Sequence, residues 1–279
     1  MNLTSSFTLN NRKEINTMSH YIPLIDYGKH MKIEKGDAIL VSSDAKKMIW
    51  DAISNRSSSD LNQFIDGLIN EVGTEGTVIF PTYNWDFCKG IPFDIRKTPC
   101  ATGSIGSTAL KRIDFIRTKH PLYSFAVHGK LACTLANMNN HDAFGSDSPF
   151  AFFKENNIKN YIIDVSLQHC FTFVHYAEEQ SGCVKHRYIK NFTAGYIDKN
   201  GILTQRTYSM FVRDLNLNVE TTIDPIEGDL IDNKAEEIIR INNSEIKKIN
   251  LNPTFEILMN DIKNNNSRKL CTYNGQQEA

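Results

Sequence analysis

A strand, helix and strand unit constrains this chain most strongly. The apolar runs at 38–43 and 77–82 have the length and composition of buried strands. Between them, Asp60 precedes a segment in which apolar residues recur at helical spacing from Leu61 to Ile69. The alternation of buried strands with an amphipathic helix is typical of α/β proteins. The sequence therefore predicts a layered fold built on a central sheet.

The remaining segments extend this unit into one domain. Residues 160–165 have the composition of a further buried strand, and 185–222 is rich in β-branched and aromatic residues around a Lys-Asn-Gly turn, which predicts a hairpin. Residues 234–263 are predicted to be helical. We expect a single α/β domain over 21–270, with a central mostly parallel or mixed sheet flanked by helices. The polar, aperiodic residues 1–20 are predicted to form a flexible arm.

Composition narrows the classes of partner. The net charge is -1 and basic residues are scattered among acidic ones, which argues against nucleic acid and anionic membranes as partners. No apolar run approaches the roughly 20 residues that span a bilayer, and the N-terminus lacks the pattern of a signal peptide, so we expect a cytoplasmic protein without membrane insertion. The six cysteines are dispersed and are expected to be reduced thiols. The spacings of histidine and cysteine predict no metal site.

The segment FTFVHYAE, at 171–178, contains the candidate catalytic residues. His175 and Glu178 stand three residues apart, on one face of a helix that follows a predicted strand. Active sites of open α/β sheets lie at the carboxyl ends of strands, and an imidazole beside a carboxylate suits a general base. A surface helix pair is the alternative that spacing alone leaves open.

Two further segments have the composition of site walls. The stretch from Tyr83 to Thr102 is long and irregular and contains Trp85 and two prolines, so we expect it to line a substrate cleft. The glycine- and serine-rich start of 102–112 offers backbone N–H groups and small side chains to a phosphate, although such clusters more often mark turns.

The order of motifs resembles the aminoglycoside 3-N-acetyltransferase family, also called the antibiotic N-acetyltransferase family, over residues 22–215. Five ordered segments carry the resemblance: LVSSD at 40–44, VGTEGTVIFPT at 72–82, RTKHPLYSFAVHG at 117–129, FGSDSP at 144–149 and TFVHYAE at 172–178. Three positions depart from the pattern. Val41 and Asp44 replace a histidine and a leucine in the serine loop, and Asp164 stands where the family has glycine. We expect these changes to affect contacts with the acyl carrier and the shape of the amine pocket.

The resemblance implies an acyltransferase that moves an acetyl group from acetyl-coenzyme A to an amine. In that reaction His175 is the expected base and Glu178 orients it, with contact to the substrate ammonium as the alternative for Glu178. The expected cofactor-binding residues are Ser42, Ser43, Thr102, Gly103, Ser104, Arg117, His120 and Ser124. Structural alternatives stay open for two of them, a buried turn-capping role for His120 and an ion pair for Arg117.

The acceptor is expected to be a small amino sugar. Tyr83, Trp85, Asp86 and Glu179 are the expected substrate-binding residues, with a solvated position as the alternative for Glu179. The cleft segment carries two anions against three cations, which favours a nucleotide-linked amino sugar of surface-polysaccharide synthesis. The alternative is an aminoglycoside, as in antibiotic resistance. Two other classes remain, a Cys-His acyl hydrolase or transferase using Cys170 and a non-catalytic protein that binds coenzyme A or a sugar. The oligomeric state stays open.

Overall fold

The computed structural model describes residues 21–274, so the predicted flexible arm at 1–20 lies outside the described residues. The strands in this part of the chain are β1 (Ala38–Ser43), β2 (Thr77–Pro81), β3 (Phe93–Asp94), β4 (Ile116–Arg117), β5 (Phe125–Gly129), β6 (Lys159–Ile163), β7 (Arg187–Ile197), β8 (Leu203–Arg213), β9 (Val219–Thr221), β10 (Glu236–Ile241), β11 (Ser244–Asn250) and β12 (Cys271–Tyr273). The α-helices are α1 (Tyr27–His30), α2 (Lys46–Ser54), α3 (Leu61–Val72), α4 (Ser104–Ala109), α5 (Ala132–Asn137), α6 (Pro149–Glu155), α7 (Leu167–Cys170), α8 (Phe173–Ser181), α9 (Glu227–Asp232) and α10 (Leu251–Asn264).

A seven-stranded mixed sheet forms the centre of the domain, in the order β10-β11-β6-β1-β2-β5-β4. The central strand β1 pairs in parallel with β2 and with β6, and the outer pairs are antiparallel. The prediction of an α/β domain with a mixed sheet is therefore confirmed. Since parallel strands share a direction, the carboxyl ends of β1, β2 and β6 meet at one edge, where open α/β sheets bind ligands.

The two faces of the sheet carry separate hydrophobic layers. Along β1, Ile39 and Val41 pack into a layer that includes α1, α2 and α3, whereas Leu40 points into the opposite layer. That second layer contains residues of α6, α8 and α10 together with Tyr196 and Tyr208 of the β7–β8 hairpin. The alternation follows from the two-residue period of a strand. Both faces of the central strands are buried, which explains their nearly continuous apolar sequence.

Helix α3 begins and ends at the residues the sequence indicates. Asp60 is its N-cap, and the carboxylate accepts a hydrogen bond from the N–H of Asn62 at 2.9 Å. Gly73 follows the last turn with φ of +68°, a conformation that favours glycine. The predicted strand, helix and strand unit is present with these boundaries. The sequence did not indicate α2, which follows β1 directly.

The prediction of helix throughout 234–263 is wrong in its first half. Residues 236–250 form the antiparallel pair β10–β11, and only α10 is helical in this segment. The two strands join at Asn242, which adopts φ of +52°, and asparagine tolerates this left-handed conformation in turns. β11 then pairs with β6 and extends the central sheet. The predicted hairpin at 185–222 is present as β7 and β8.

Asp164 fills a backbone position that favours glycine. It follows β6 with φ of +53°, and its side chain is 1% exposed. One carboxylate oxygen accepts hydrogen bonds from the N–H of Glu245 at 3.0 Å and from Nζ of Lys47 at 2.9 Å. Asp164 thus fastens β6 to β11 and to α2. The expected effect on an amine pocket is not supported, because the side chain is engaged with these partners.

Asp164→Ala should destabilise the domain more than Asp164→Gly, and Asp164→Asn should destabilise it least. Alanine loses the buried acceptor and keeps the unfavourable φ, at a combined cost of about 2–4 kcal/mol in the free energy of unfolding. Glycine relieves the backbone, and asparagine keeps an acceptor and tolerates the conformation. Urea denaturation of the three variants would measure the order. An alanine variant as stable as the wild type would contradict this account.

Candidate active site

A cavity of about 750 Å³ opens at the edge where the parallel strands end. Its wall includes residues 42–46 at the end of β1, residues 101–104 at the start of α4, and residues between 165 and 175 after β6. Pro81, Tyr83 and other members of the long segment after β2 complete it. The cavity therefore lies where the fold class predicts a ligand site.

His175 reaches this cavity from the first turn of α8. Its side chain is 20% exposed, and Nδ1 lies 2.7 Å from Oε2 of Glu178, which is 1% exposed. The ring of Phe144 meets the imidazole edge-on at a centroid distance of 5.8 Å. The spacing of three residues on α8 brings the two polar side chains together. The pair is partly buried, so it is not an exposed surface pair.

Burial and neighbouring charges set the protonation of this pair. Burial lowers the pKa of His175, as does the charge of Arg187, while the hydrogen bond and charge of Glu178 act in the opposite direction. Burial alone would raise the pKa of Glu178, but His175, Arg187 and His186 together hold it below its usual value. Near neutral pH the arrangement is a neutral imidazole beside a carboxylate. If Nδ1 carries the proton shared with Glu178, Nε2 is free to accept another.

Five of the predicted cofactor-binding residues line the cavity, namely Ser42, Ser43, Thr102, Gly103 and Ser104. The hydroxyl of Thr102 donates to the carbonyl of Pro81 at 3.0 Å and so links the two segments. Gly103 has φ of +116°, which requires glycine or a strained residue. Small hydroxylated side chains therefore line the same cavity as the imidazole of His175.

The prediction that Arg117 and Ser124 contact the cofactor needs correction. Both are buried, and Arg117 donates from Nε to Oγ of Ser124 at 3.0 Å and from Nη2 to the carbonyl of Thr82 at 2.9 Å. Nη1 donates to the carbonyl of Thr98, and the ring of Phe93 lies 4.8 Å from the guanidinium carbon. Ser124 donates in turn to the Thr82 carbonyl at 2.8 Å. Their polar atoms hold the segment after β2 in place, which leaves them unsuited to bind a phosphate.

His120 is likewise a structural residue. It is 2% exposed, and its Nδ1 accepts a hydrogen bond from the N–H of Tyr123 at 3.2 Å. Burial lowers the pKa of His120 to about 3, so the ring is neutral. His120 therefore has the turn-capping role that the sequence left open as an alternative. Its burial does not support the predicted contact with the acyl carrier.

Some of the predicted substrate-binding residues line the cavity and others do not. Tyr83 and Trp85 line the cavity, whereas Asp86 forms an exposed ion pair with Lys89 at 3.0 Å outside the lining. Glu179 is partly buried rather than solvated. Burial and the nearby carboxyl of Asp142 raise the pKa of Glu179 to about 8.

The structure adds cavity residues that the sequence did not indicate. Lys46 and Ile49 come from α2, Gln168 and His169 from α7, and Ile223 from the segment after β9. The position of Lys46 directly after a strand end was an available signal. The contribution of Ile223 depends on a distant segment folding back, which local sequence patterns do not reveal.

Cys170 lines the cavity, but its environment disfavours a nucleophile. Burial raises the pKa of its thiol to about 12, and Sγ donates to the carbonyl of Ser166 at 3.3 Å. A reactive cysteine needs surroundings that favour the thiolate. The geometry therefore weighs against the alternative of a Cys-His hydrolase.

Residues 21–274 contain no helix that is both long and apolar enough to cross a bilayer. In the same part of the chain, histidine, cysteine and acidic side chains form no group of three or more suited to a metal ion. The cytoplasmic location stays a prediction.

Comparison with known proteins relates this geometry to a family. The family model described as aminoglycoside 3-N-acetyltransferase matches residues 40–262. No curated protein matches the chain in sequence.

Solved structures share the fold at low sequence identity. The YokD protein from Bacillus subtilis has a TM-score of 0.71 and 18% identity, with 88% of this chain and 96% of YokD covered. AAC-IIIb, solved with CoASH, has a TM-score of 0.73 and 15% identity, with coverages of 88% and 97%. AAC-VIa, solved with sisomicin, has a TM-score of 0.71 and 15% identity, with coverages of 87% and 98%.

The thiol of Cys170 should react with iodoacetamide at least about 100-fold more slowly at neutral pH than an ordinary exposed thiol, because its raised pKa leaves very little thiolate. Cys133 and Cys183 are exposed and serve as internal references. Intact-mass and peptide analysis over time would measure the rates, with Cys170→Ser identifying the slow site. Rapid alkylation of Cys170 would restore the nucleophile alternative.

Proposed function

The chain belongs to the aminoglycoside 3-N-acetyltransferase family, and we propose that it transfers the acetyl group of acetyl-coenzyme A to an amino group of an amino sugar. One observation carries the proposal. The pair of His175 and Glu178 lies at the wall of the cavity, with Nδ1 engaged at 2.7 Å by the carboxylate. In this proposal the carboxylate holds the proton on Nδ1 and leaves Nε2 as the base.

His175 has the chemistry that acetylation of an amine requires. An alkylammonium with a pKa of about 10.4 has no free electron pair at neutral pH, so a base must remove a proton before the nitrogen can attack. In this proposal Nε2 of His175 accepts that proton, and Glu178 stabilises the resulting imidazolium. The lowered pKa of His175 keeps the acceptor free of protons at neutral pH.

In this proposal the serine-bearing wall of the cavity binds coenzyme A, whose thioester supplies an activated acetyl group. Its phosphates and amide-bearing arm need hydroxyl and N–H donors more than a dense cluster of charges. Ser42, Ser43 and Ser104 offer hydroxyl groups there, and Lys46 lies beside them, paired with Asp44 at 3.2 Å. In this proposal these residues would hold coenzyme A.

An aminoglycoside is the acceptor that family membership supports best. The fold relative AAC-VIa was solved with sisomicin. In this chain, Glu179 follows His175 by one turn of α8 and faces Asp142. We propose that this carboxyl pair receives a second ammonium group, which would favour the ionised form of Glu179.

A nucleotide-linked sugar with one amino group is the second candidate, and a separate observation favours it. The acidic residues of the cleft segment are already paired, Asp86 with Lys89 at 3.0 Å and Asp94 with Arg96 at 2.8 Å. Exposed pairs of this kind leave little net negative charge to attract a polycation. The segment therefore suits an acceptor with one ammonium group.

His175→Ala should lower kcat by about 100-fold or more, the usual contribution of a positioned general base, while acetyl-coenzyme A still binds. His169→Ala is the matched control, because His169 lines the same cavity and its Nδ1 lies 2.9 Å from Oγ of Ser166 rather than beside a carboxylate. That variant should keep most of the maximal rate. Release of free coenzyme A thiol would report turnover, and near-normal turnover of His175→Ala would exclude this role.

Glu179→Gln should separate the two acceptor classes. If an aminoglycoside is the substrate, loss of the carboxylate should lower kcat/KM for sisomicin by about 10-fold, because a desolvated ammonium loses its partner. The value for a mono-amino nucleotide sugar should change less than about twofold, since it lacks a second ammonium. Specificity constants for both compounds with both proteins would measure this. A wild-type preference for the nucleotide sugar would select the second candidate.

A further inference from the structure

Glu178 is a buried carboxylate whose close nitrogen neighbours come from two different elements. Its side chain is 1% exposed, and Oε2 lies 2.7 Å from Nδ1 of His175 and 3.0 Å from Nε of Arg187. His175 belongs to the same helix, whereas Arg187 is the first residue of β7. A carboxylate removed from water needs compensating partners to remain ionised. Arg187, itself 6% exposed, therefore belongs to the environment of the proposed base.

The guanidinium of Arg187 is held from its far side. Nη2 donates to Oγ1 of Thr221 in β9 at 2.8 Å, and Nη1 donates to the carbonyl of Phe211 in β8 at 3.5 Å. Nε makes no aligned hydrogen bond, so its 3.0 Å contact with Glu178 is mainly Coulombic. The positive charge is thus fixed by the strands and does not depend on the helix that carries the histidine.

We propose that Arg187 is a positioning residue that holds the Glu178 carboxylate against Nδ1 of His175. The consequence for catalysis rests on the proposed acetyltransferase function. Mechanically, the arginine prevents the carboxylate from turning away from the imidazole. Electrostatically, it compensates the buried negative charge.

The two neighbours of His175 act on it in opposite directions. After burial, the largest contribution that lowers the pKa of His175 is the charge of Arg187, whereas Glu178 raises that pKa. The carboxylate alone would favour a protonated imidazole, which cannot accept a proton from the substrate. Arg187 offsets this effect and so allows His175 to keep an orienting carboxylate while remaining a free base.

The other titratable groups around Glu178 supply little charge near neutral pH. Nε2 of His186 lies 4.0 Å from Oε1, and burial lowers the pKa of that histidine. Cys271 and Tyr273 of β12 are also near the carboxylate, and burial raises both of their pKa values. Arg213 faces His186. In the described part of the chain, the guanidinium beside Glu178 is therefore the permanent countercharge of this cluster.

Opposite shifts in the titration of His175 test the proposal. Arg187→Met should raise the pKa of His175, and Glu178→Gln should lower it. Arg187→Lys keeps a positive charge, so the pKa of His175 in this variant should lie between those of Arg187→Met and the wild type. Arg213→Met is the matched control. Arg213 stands opposite Arg187 in the β7–β8 ladder, but its charge faces His186 rather than Glu178. Imidazole proton resonances recorded against pH would give each value directly.

The same variants should change the pH dependence of turnover. Arg187→Met should lower kcat at neutral pH by about 10-fold and recover it at higher pH, because more of the histidine is protonated. A purely structural defect would lower the rate at every pH. If Arg187→Met does not fold, the double variant Arg187→Met with Glu178→Gln removes both buried charges. Comparison of its titration with that of Glu178→Gln then measures the effect of the arginine.

The two proposals fail in different ways. An unchanged or lowered pKa of His175 in Arg187→Met would overturn the role of Arg187, whatever the enzyme acetylates. The same holds if the pKa of His175 in the double variant is no higher than in Glu178→Gln. A wild-type protein that acetylates no amine would overturn the proposed function. The resonance titration needs no substrate, so it decides the electrostatic role in either case.

Discussion

The burial of the Glu178 carboxylate is the constraint on which the site depends. A charge at 1% exposure is tolerated only where the fold brings compensating groups to it, and here they arrive from several elements. His175 comes from the same helix and Arg187 from β7, while Thr221 of β9 holds the arginine. The requirement to compensate this one carboxylate therefore ties α8 to strands outside the central sheet.

The direction of three strands determines where that helix can act. β6, β1 and β2 run parallel, so their carboxyl ends form one edge, and the segments that follow them become the walls of one cavity. Antiparallel strands on either side complete the sheet without adding a second edge of this kind. The serine loop after β1 and the helix after β6 are thereby brought together although they are far apart in sequence.

Sequence reasoning succeeded where one local pattern decided the structure. The buried strands, the cap at Asp60 and the spacing of His175 and Glu178 are all local, and the structure contains each of them. Sequence reasoning failed where burial or pairing with a distant segment determined the structure. Arg117 and His120 carry the side chains of ligand-binding residues, yet both are buried and bonded to the protein, and no neighbouring residue in the sequence signals this. The first half of the helix predicted at 234–263 is instead β10 and β11, because β11 pairs with β10 and β6, a tertiary pairing that overrides a local preference.

The pairing of β9 with β12 has a consequence for the chemistry of the site. β12 brings Tyr273 edge-on to His186 at a centroid distance of 6.0 Å, and β9 brings Thr221 to Arg187. Together the two short strands form a cover over part of the charged cluster. The cover keeps the local dielectric constant low, which strengthens every charge interaction beneath it. By excluding water, this small ribbon outside the central sheet strengthens the effect of the Glu178 carboxylate and the Arg187 guanidinium on His175.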